Sequence, residues 1–469
     1  MTSQFRGGLF WGFLCLGLFF LISRIHACEN APYSRYQAVS NKSFALLRGS
    51  NGLISDKIQI SIQTSQTSKD EALQRSFHKL VLDTSPTNIA IDLWVQMNRL
   101  RSSDKQEREE ASQTLSLILQ ALKKLEHPID TKLFFNWYST EDGQAINKDS
   151  ISSVDNVHLA LALWTLSRVD FDSNRAEQAR ALFEAMDFSP FYDPTSGLIS
   201  GAMLFSNGRW VRSPWTYDYW GSEARTLYSA GWALHLFQKF SENRSFITKA
   251  AEVLKVESAH TTSGKILKTW DGGAFQLLLP RLLLSEERYS PAMATSFENY
   301  SHYIVDQAVL KKYALPAAHS ACNHSVQEYI GHSGSPELVS NLNADLLDPV
   351  KRERWDEAVT PHAVFLAASL TPALFIQPLK AAEPLGELGS FSLFDTLFGW
   401  LDSYIVSGQD KGKAVPVVLA LDQGIILLSL DSILSEDRMS LSARELWNDP
   451  TTRHRLQEFY STLEPRLEK

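Results

Sequence analysis

Cysteine is scarce in this chain: Cys15, Cys28 and Cys322 are the only three among 469 residues. So few cannot build a disulfide scaffold, and neither a C-x-x-C pair nor cysteine with histidine at zinc spacing occurs. Basic charge is short as well. Lysine and arginine number 45 against 53 aspartates and glutamates, a formal net charge of −8. That balance offers no cationic face able to neutralise a run of phosphates, so a nucleic acid partner is not expected. The G-x-S-x-G elbow of serine hydrolases and the phosphate-cradling G-x-x-x-x-G-K-[ST] loop are both missing. His319, His324 and His332 show no recognisable metal-ligand spacing, so no metal is expected there. After the first thirty residues no apolar run is long enough to cross a bilayer.

The one long apolar run is N-terminal. Arg6 precedes the sixteen apolar residues Gly7 to Ile22, and the small Ala27 stands just before Cys28. This is the layout of a signal h-region followed by cleavage, either as an ordinary export signal or as an imperfect lipoprotein box. An exported protein of the periplasm or cell envelope is expected. Arg24, directly after the run, keeps an uncleaved N-terminal anchor open, and membrane attachment would then come through that anchor or through a lipidated Cys28. Cys28 and Cys322 could pair if Cys28 survives as a thiol.

Residues 28–70 are rich in Ser, Thr, Asn and Gln. Their alternating stretch Lys57 to Ile62 predicts an isolated strand or extended arm in a lead-in segment. From residue 71 to 469 the spacing of apolar residues predicts helix after helix: Ala72 to Leu82, Thr87 to Leu100, Glu107 to Leu125, Val157 to Val169, Arg175 to Met186, Ala224 to Phe240, Phe246 to Leu254, Phe275 to Leu284, Pro291 to Lys312, Pro361 to Ala368, Gln423 to Leu434 and Ala443 to Leu463. Several are hydrophobic nearly all round, which suits inner helices wrapped by outer ones. The fold class is therefore all-α, a toroid of helices with long irregular loops at Phe188 to Tyr219 and Leu315 to Trp355.

Four acids share a local context, each opening an apolar helical run: Asp155, Glu223, Asp271 and Asp422. Acids there favour the helix dipole, and Ser152-x-x-Asp155 has the form of a capping box. In a toroid, however, successive inner helices bring their N-termini to one rim, where such acids meet in a cleft. The loops before them carry Phe134, Phe135, Trp137 and Tyr138, then Trp210, Trp215, Tyr217, Tyr219 and Trp220, with Trp270 beside Asp271. Aromatic faces plus carboxylates are what a sugar ring with its C–H face and rim of hydroxyls requires. His158 lies one helical turn after Asp155 and shares its face.

The blocks Phe135-Asn136-Trp137-Tyr138, Ser152 to Asn156, Gly221 to Arg225, Trp270 to Phe275, Thr360 to Ala363 and Leu421 to Gly424 occur in that order over about two thirds of the chain. In this the sequence resembles the glucoamylase-like domain of bacterial β-1,2-glucan-active enzymes, the endo-β-1,2-glucanases and the related domain of cyclic β-1,2-glucan synthases. The resemblance implies an (α/α)6 barrel, no metal or other cofactor, and cleavage within linear glucans. It matches Asp155 and Glu223 to acids of the glucanase cleft, whereas His158 stands where that branch commonly has a second acid. The synthase-type acids near Gln276 and His319 are absent, and Gln276 cannot exchange a proton as a carboxyl group does.

The expected activity is endo-acting hydrolysis of a β-glucan. Glu223 is the expected proton donor and Asp155 the carboxylate acting on water, while Asp271, with Asp218 or Glu328 as alternatives, is expected as a further catalytic acid. Trp137, Tyr138, His158, Trp215, Tyr217, Tyr219, Trp220, Trp270, Gln276, His319 and Asp422 are expected to hold the glucan or other polysaccharide. Two alternatives use the same residues: a non-catalytic glycan-binding or envelope-assembly protein, and a lyase or transglycosylase using a neutral histidine with Tyr219.

Overall fold

The computed structural model describes residues 31–49, 51–63, 74–128, 131–238, 245–351, 357–386 and 391–469. The N-terminal segment Met1 to Ala27 and Cys28 lie outside the described residues. Fifteen helices are described in chain order: α1 (31–46), α2 (Pro86–Arg99), α3 (Lys105–Leu122), α4 (Ser153–Val169), α5 (Ser173–Ala185), α6 (Ala224–Ala233), α7 (Ser245–Val253) and α8 (Ala274–Leu284), then α9 (Pro291–Lys311), the single turn α10 (Ala344–Leu347), α11 (Pro361–Ala368), α12 (Pro372–Ala382), α13 (Ala420–Leu434), α14 (Leu441–Asn448) and α15 (Pro450–Leu467).

Six of these close a ring. α2 packs on α4, α4 on α6, α6 on α8, α8 on α11, α11 on α13, and α13 returns to α2. All ten residues of α6 and all eight of α11 are buried, so these helices carry apolar side chains on every face. The helices outside the ring are one-sided instead. α3 buries only Ala111, Leu115, Ile118, Leu119 and Leu122, and α15 buries Thr452, Leu456, Phe459, Tyr460, Leu463 and Leu467, each set a single stripe at helical spacing. The result is the mainly helical toroid that the sequence implies. Among the described residues no helix is long and apolar enough to cross a membrane.

Four sequence expectations need correction. Residues 74–81 form a strand rather than a helix, because they pair antiparallel with Lys57–Gln63, Lys57 facing Val81 and Ile58 facing Leu80. A short apolar run does not distinguish strand from helix until its partner is known. The strand at Lys57 is not isolated, since its other edge pairs with Val417–Leu419. The stretch before it is helical as α1, whose Tyr33, Tyr36 and Phe44 enter the main core. Finally, Ala443 to Leu463 is two helices. Asp449 caps the second through the amides of Thr451 and Thr452, and Pro450 fixes its first turn.

One polar knot sits in this apolar interior. Arg225 and Glu286 are both fully buried; Arg225 Nε donates to Glu286 Oε1 at 2.9 Å and Nη2 donates to Oε2 at 3.0 Å. Arg225 also donates to the carbonyls of Gln276 and Leu277, while Tyr460 Oη donates to Glu286 Oε1 at 2.7 Å. The pair thus ties α6 to α8 and α15. Removing one charge strands the other in a dry interior, so Glu286→Gln is expected to lower stability by roughly 3–5 kcal/mol. A chemical denaturation midpoint that matches the parent protein would contradict this.

Candidate active site

The starts of five inner helices, α2, α4, α6, α8 and α13, line two neighbouring cavities. The first, about 690 Å³, is bounded by Trp215, Tyr217, Asp218, Tyr219, Glu223, Trp270, Gln276 and His332, among others. The second, about 390 Å³, is bounded by Asp56, Thr87, Asn88, Trp137, Asp155, His158, Glu223, Phe275, Tyr329 and Leu421, among others. Glu223 is the one residue common to both linings among the described residues. The two cavities are therefore halves of one trough that meet at a carboxyl group, with volumes in the range of small-molecule sites.

Glu223 occupies the N-cap position of α6, yet its side chain makes no capping hydrogen bond. Its backbone is held from below. Gly221, two residues earlier, accepts the amide of Trp270 at 2.8 Å, and a Cβ at Gly221 would lie 1.9 Å from the carbonyl oxygen of Lys268. Only a glycine permits that approach. Burial pushes the Glu223 carboxyl up to about 7, the nearby Asp155 and Asp271 carboxyls push the same way, and His332 opposes them.

Asp155 lies in the first turn of α4. Its backbone amide donates to the Ser152 hydroxyl at 3.2 Å, so Ser152 is the cap and the Asp155 carboxylate is left for other work. Thr87 of α2 donates its hydroxyl to Asp155 Oδ1 at 2.5 Å and lies 3.2 Å from His158 Nδ1. Burial drives His158 down to about 4, against the pull of Asp155, so the ring is neutral at neutral pH. Asp271 accepts the Gly273 amide at 2.8 Å, and its Oδ2 lies 3.9 Å from Nδ1 of His332. Asp271 first, and Glu223 more weakly, raise the proton affinity of that histidine. Gln276 Oε1 accepts the backbone amide of Asp271 at 3.3 Å.

The aromatic residues divide. Trp215 is half exposed and Trp137 nearly so, each at a different half of the trough. Tyr217, Tyr219 and Trp270 also line the first half. Trp215 rests in a slot made by Gly201, where a Cβ would lie 1.1 Å from ring atom Cζ3. Gly201 also accepts the Ser153 amide at the start of α4. One short segment therefore places both the indole and the helix that bears Asp155.

Three residues expected at the substrate turn inward instead. Tyr138 is buried, accepting the Phe135 amide and donating to the carbonyl of Glu126. Trp220 packs on Phe459 and Tyr460 in the core. His319 is buried with Nδ1 2.7 Å from the carbonyl oxygen of Ala358. Trp137 and Tyr219, the neighbours of the first two, line the trough, and a sequence shows no sign of which aromatic turns which way. Asp422 is buried beside His362 and Asp402 and lines neither cavity. Cys322 is a buried free thiol.

Thr87, Tyr329 and Asp56 were not singled out from sequence. They reach the site from α2, from the hairpin containing Glu328–Ile330, and from the turn before the Lys57 strand. Of these, only Thr87 carried a signal, its place at the start of a predicted inner helix.

No family model and no curated protein matches the sequence. Solved structures do match the fold. An endo-β-1,2-glucanase from Talaromyces funiculosus, in complex with sophorose, superposes with a TM-score of 0.73 at 11% identity, over 94% of this chain and 91% of that one. An endo-β-1,2-glucanase from Chitinophaga pinensis, in complex with sophorotriose and glucose, gives 0.64 at 13% identity, over 92% and 97%. A β-1,2-glucanase from Parabacteroides distasonis gives 0.60 at 12% identity, over 91% of this chain and 60% of that one.

Two outcomes follow from the site geometry. A carboxyl group whose folded pKa exceeds its unfolded value holds its proton more tightly when folded, so stability falls as pH rises from about 4.5 to about 7. Glu223→Gln is expected to flatten that slope in thermal unfolding measured across this interval; an unchanged slope would show that Glu223 is not the group responsible. Gly201→Ala is expected to eject the Trp215 ring, altering its near-ultraviolet circular dichroism and costing about 1–3 kcal/mol. An unaltered spectrum would refute the slot.

Proposed function

We propose that this toroid, which shares its fold with endo-β-1,2-glucanases, is a glycoside hydrolase that cleaves a β-glucan, of the β-1,2 type, within its chain. The observation that carries the reading is Glu223 at the junction of two half-troughs. A carboxyl group with open space and aromatic side chains on both sides suits a polymer passing through, not one whose end must be inserted.

In this reading Glu223 donates its proton to the leaving glycosidic oxygen. Burial and the Asp155 and Asp271 carboxyls raise its pKa to about 7, so a large fraction of it holds the proton near neutral pH. Asp155, positioned by Thr87, acts on the attacking water from the second half of the trough. His158, neutral and one turn away, adds no positive charge that would weaken Asp155 as a base. Trp215 and Trp137 offer stacking faces to sugar units on either side. The lyase alternative fits less well: Tyr219 Oη donates to the carbonyl of Lys268 at 3.1 Å, and burial raises its pKa, leaving it a poor acid or base at neutral pH. The apolar run Gly7 to Ile22 supports export, so the glucan would be met outside the cytoplasm.

Glu223→Gln is expected to reduce release of reducing ends from β-1,2-glucan by about 100- to 10,000-fold while leaving the far-ultraviolet spectrum unchanged. In the parent protein kcat/KM should decline above pH 7, where the acid loses its proton. Retained activity in the variant would remove Glu223 from the mechanism, and binding of glucan with no products from the parent protein would establish the glycan-binding alternative.

A further inference from the structure

His362 opens α11, Asp422 lies in the first turn of α13, and Asp402 lies between the strands Gly399–Trp400 and Ser403–Ile405. All three side chains are buried, and one donor atom from each lies within 4.8 Å of the other two. Asp402 Oδ2 accepts the amide of Asn323 at 2.6 Å, but Asp402 Oδ1 has no hydrogen-bond partner. The same is true of Asp422 Oδ2 and His362 Nδ1, which lie 3.0 Å apart without the alignment of a hydrogen bond. Three buried polar atoms thus converge, and the two carboxyl groups can satisfy each other only by sharing a proton in a hydrogen bond between Asp402 and Asp422, which leaves His362 Nδ1 unpartnered. Among the described residues no lysine or arginine forms an ion pair with either aspartate. With both carboxyl groups ionised beside the imidazole, a dry interior is costly unless a cation takes the place of the shared proton.

We propose that His362, Asp402 and Asp422 form a buried binding site for a divalent transition-metal cation of the zinc type. An imidazole nitrogen with two carboxylate oxygens is a donor set such ions accept. Donors at about 2.1 Å from a tetrahedral ion stand roughly 3.4 Å apart, inside the spread seen here. The ion would join the starts of two adjacent inner helices to the loop bearing Asp402. The ligand spacing, 40 residues and then 20, belongs to no metal motif, which is why the sequence does not betray it.

The test is uptake of Zn²⁺ by full-length protein stripped with a chelator, followed by calorimetric titration and by melting temperature. One equivalent should bind and the melting temperature should rise. His362→Gln and Asp402→Asn, checked for folding by circular dichroism, should each weaken binding at least tenfold. Co²⁺ in the parent protein should give visible d–d absorption that His362→Gln lacks. Absence of Zn²⁺ uptake by the parent protein would overturn the site without recourse to any variant. Uptake that survives both substitutions unchanged would overturn it equally, by placing the metal elsewhere. None of these readouts depends on glucan cleavage.

Discussion

The closed ring of inner helices is the constraint from which the rest follows. α2, α4, α6, α8, α11 and α13 are each enclosed by neighbours, so each must be apolar over most of its surface. Apart from paired groups such as Arg225 with Glu286 and Asp92 with Arg48, polar chemistry is thereby kept to the helix ends. Because outer helices return the chain between inner ones, the inner N-termini gather at one rim, and Thr87, Asp155, Glu223 and Gln276 come together although far apart in sequence. The arrangement concentrates unsatisfied amide groups and carboxylates in the same place, which is where electrostatics can be tuned.

At that rim the decisive fact is what Glu223 does not do. An acid at a helix N-cap normally accepts backbone amides and so favours its ionised form. Here Ser152 performs the capping for Asp155, whereas Glu223 is left uncapped between two other acids. Two carboxyl side chains at the starts of neighbouring helices, Asp155 in the first turn of α4 and Glu223 at the N-cap of α6, are thus placed in opposed environments, one supported by a hydroxyl donor and the other pressed toward its neutral form. That asymmetry is what acid–base work on a glycosidic bond needs.

Much of the barrel was legible because burial on all sides writes itself into composition. α4, α8, α11 and α13 fall where unbroken apolar spacing predicts them. The N-terminal third was harder, since α1 and the strand at 74–81 take their form from partners near residues 400 to 420 and near 57. Of the site, the acids were readable from their place at helix starts, and Trp137, Trp215 and Trp270 from their loops. Tyr138, Trp220 and His319 misled, because an aromatic looks the same in sequence whether it meets a backbone carbonyl, as Tyr138 and His319 do, packs into the core, as Trp220 does, or opens on the trough. Tyr329 and His332 come from a loop that follows no helical rule, and their position depends on tertiary packing alone.

The contact between α13 and α2 joins residues more than three hundred positions apart, and the strand Lys57–Gln63 waits for Val417–Leu419 to complete its sheet. A ribosome must therefore have made the chain through α13, which ends at Leu434, before the circle can shut. Until then the greasy inner helices stand with one flank uncovered, a long-range topology of the kind that folds slowly. Synthesis of this protein should accordingly lean on chaperones that shield late-closing surfaces, and C-terminal truncation through α13 should leave an insoluble product, not a smaller working barrel.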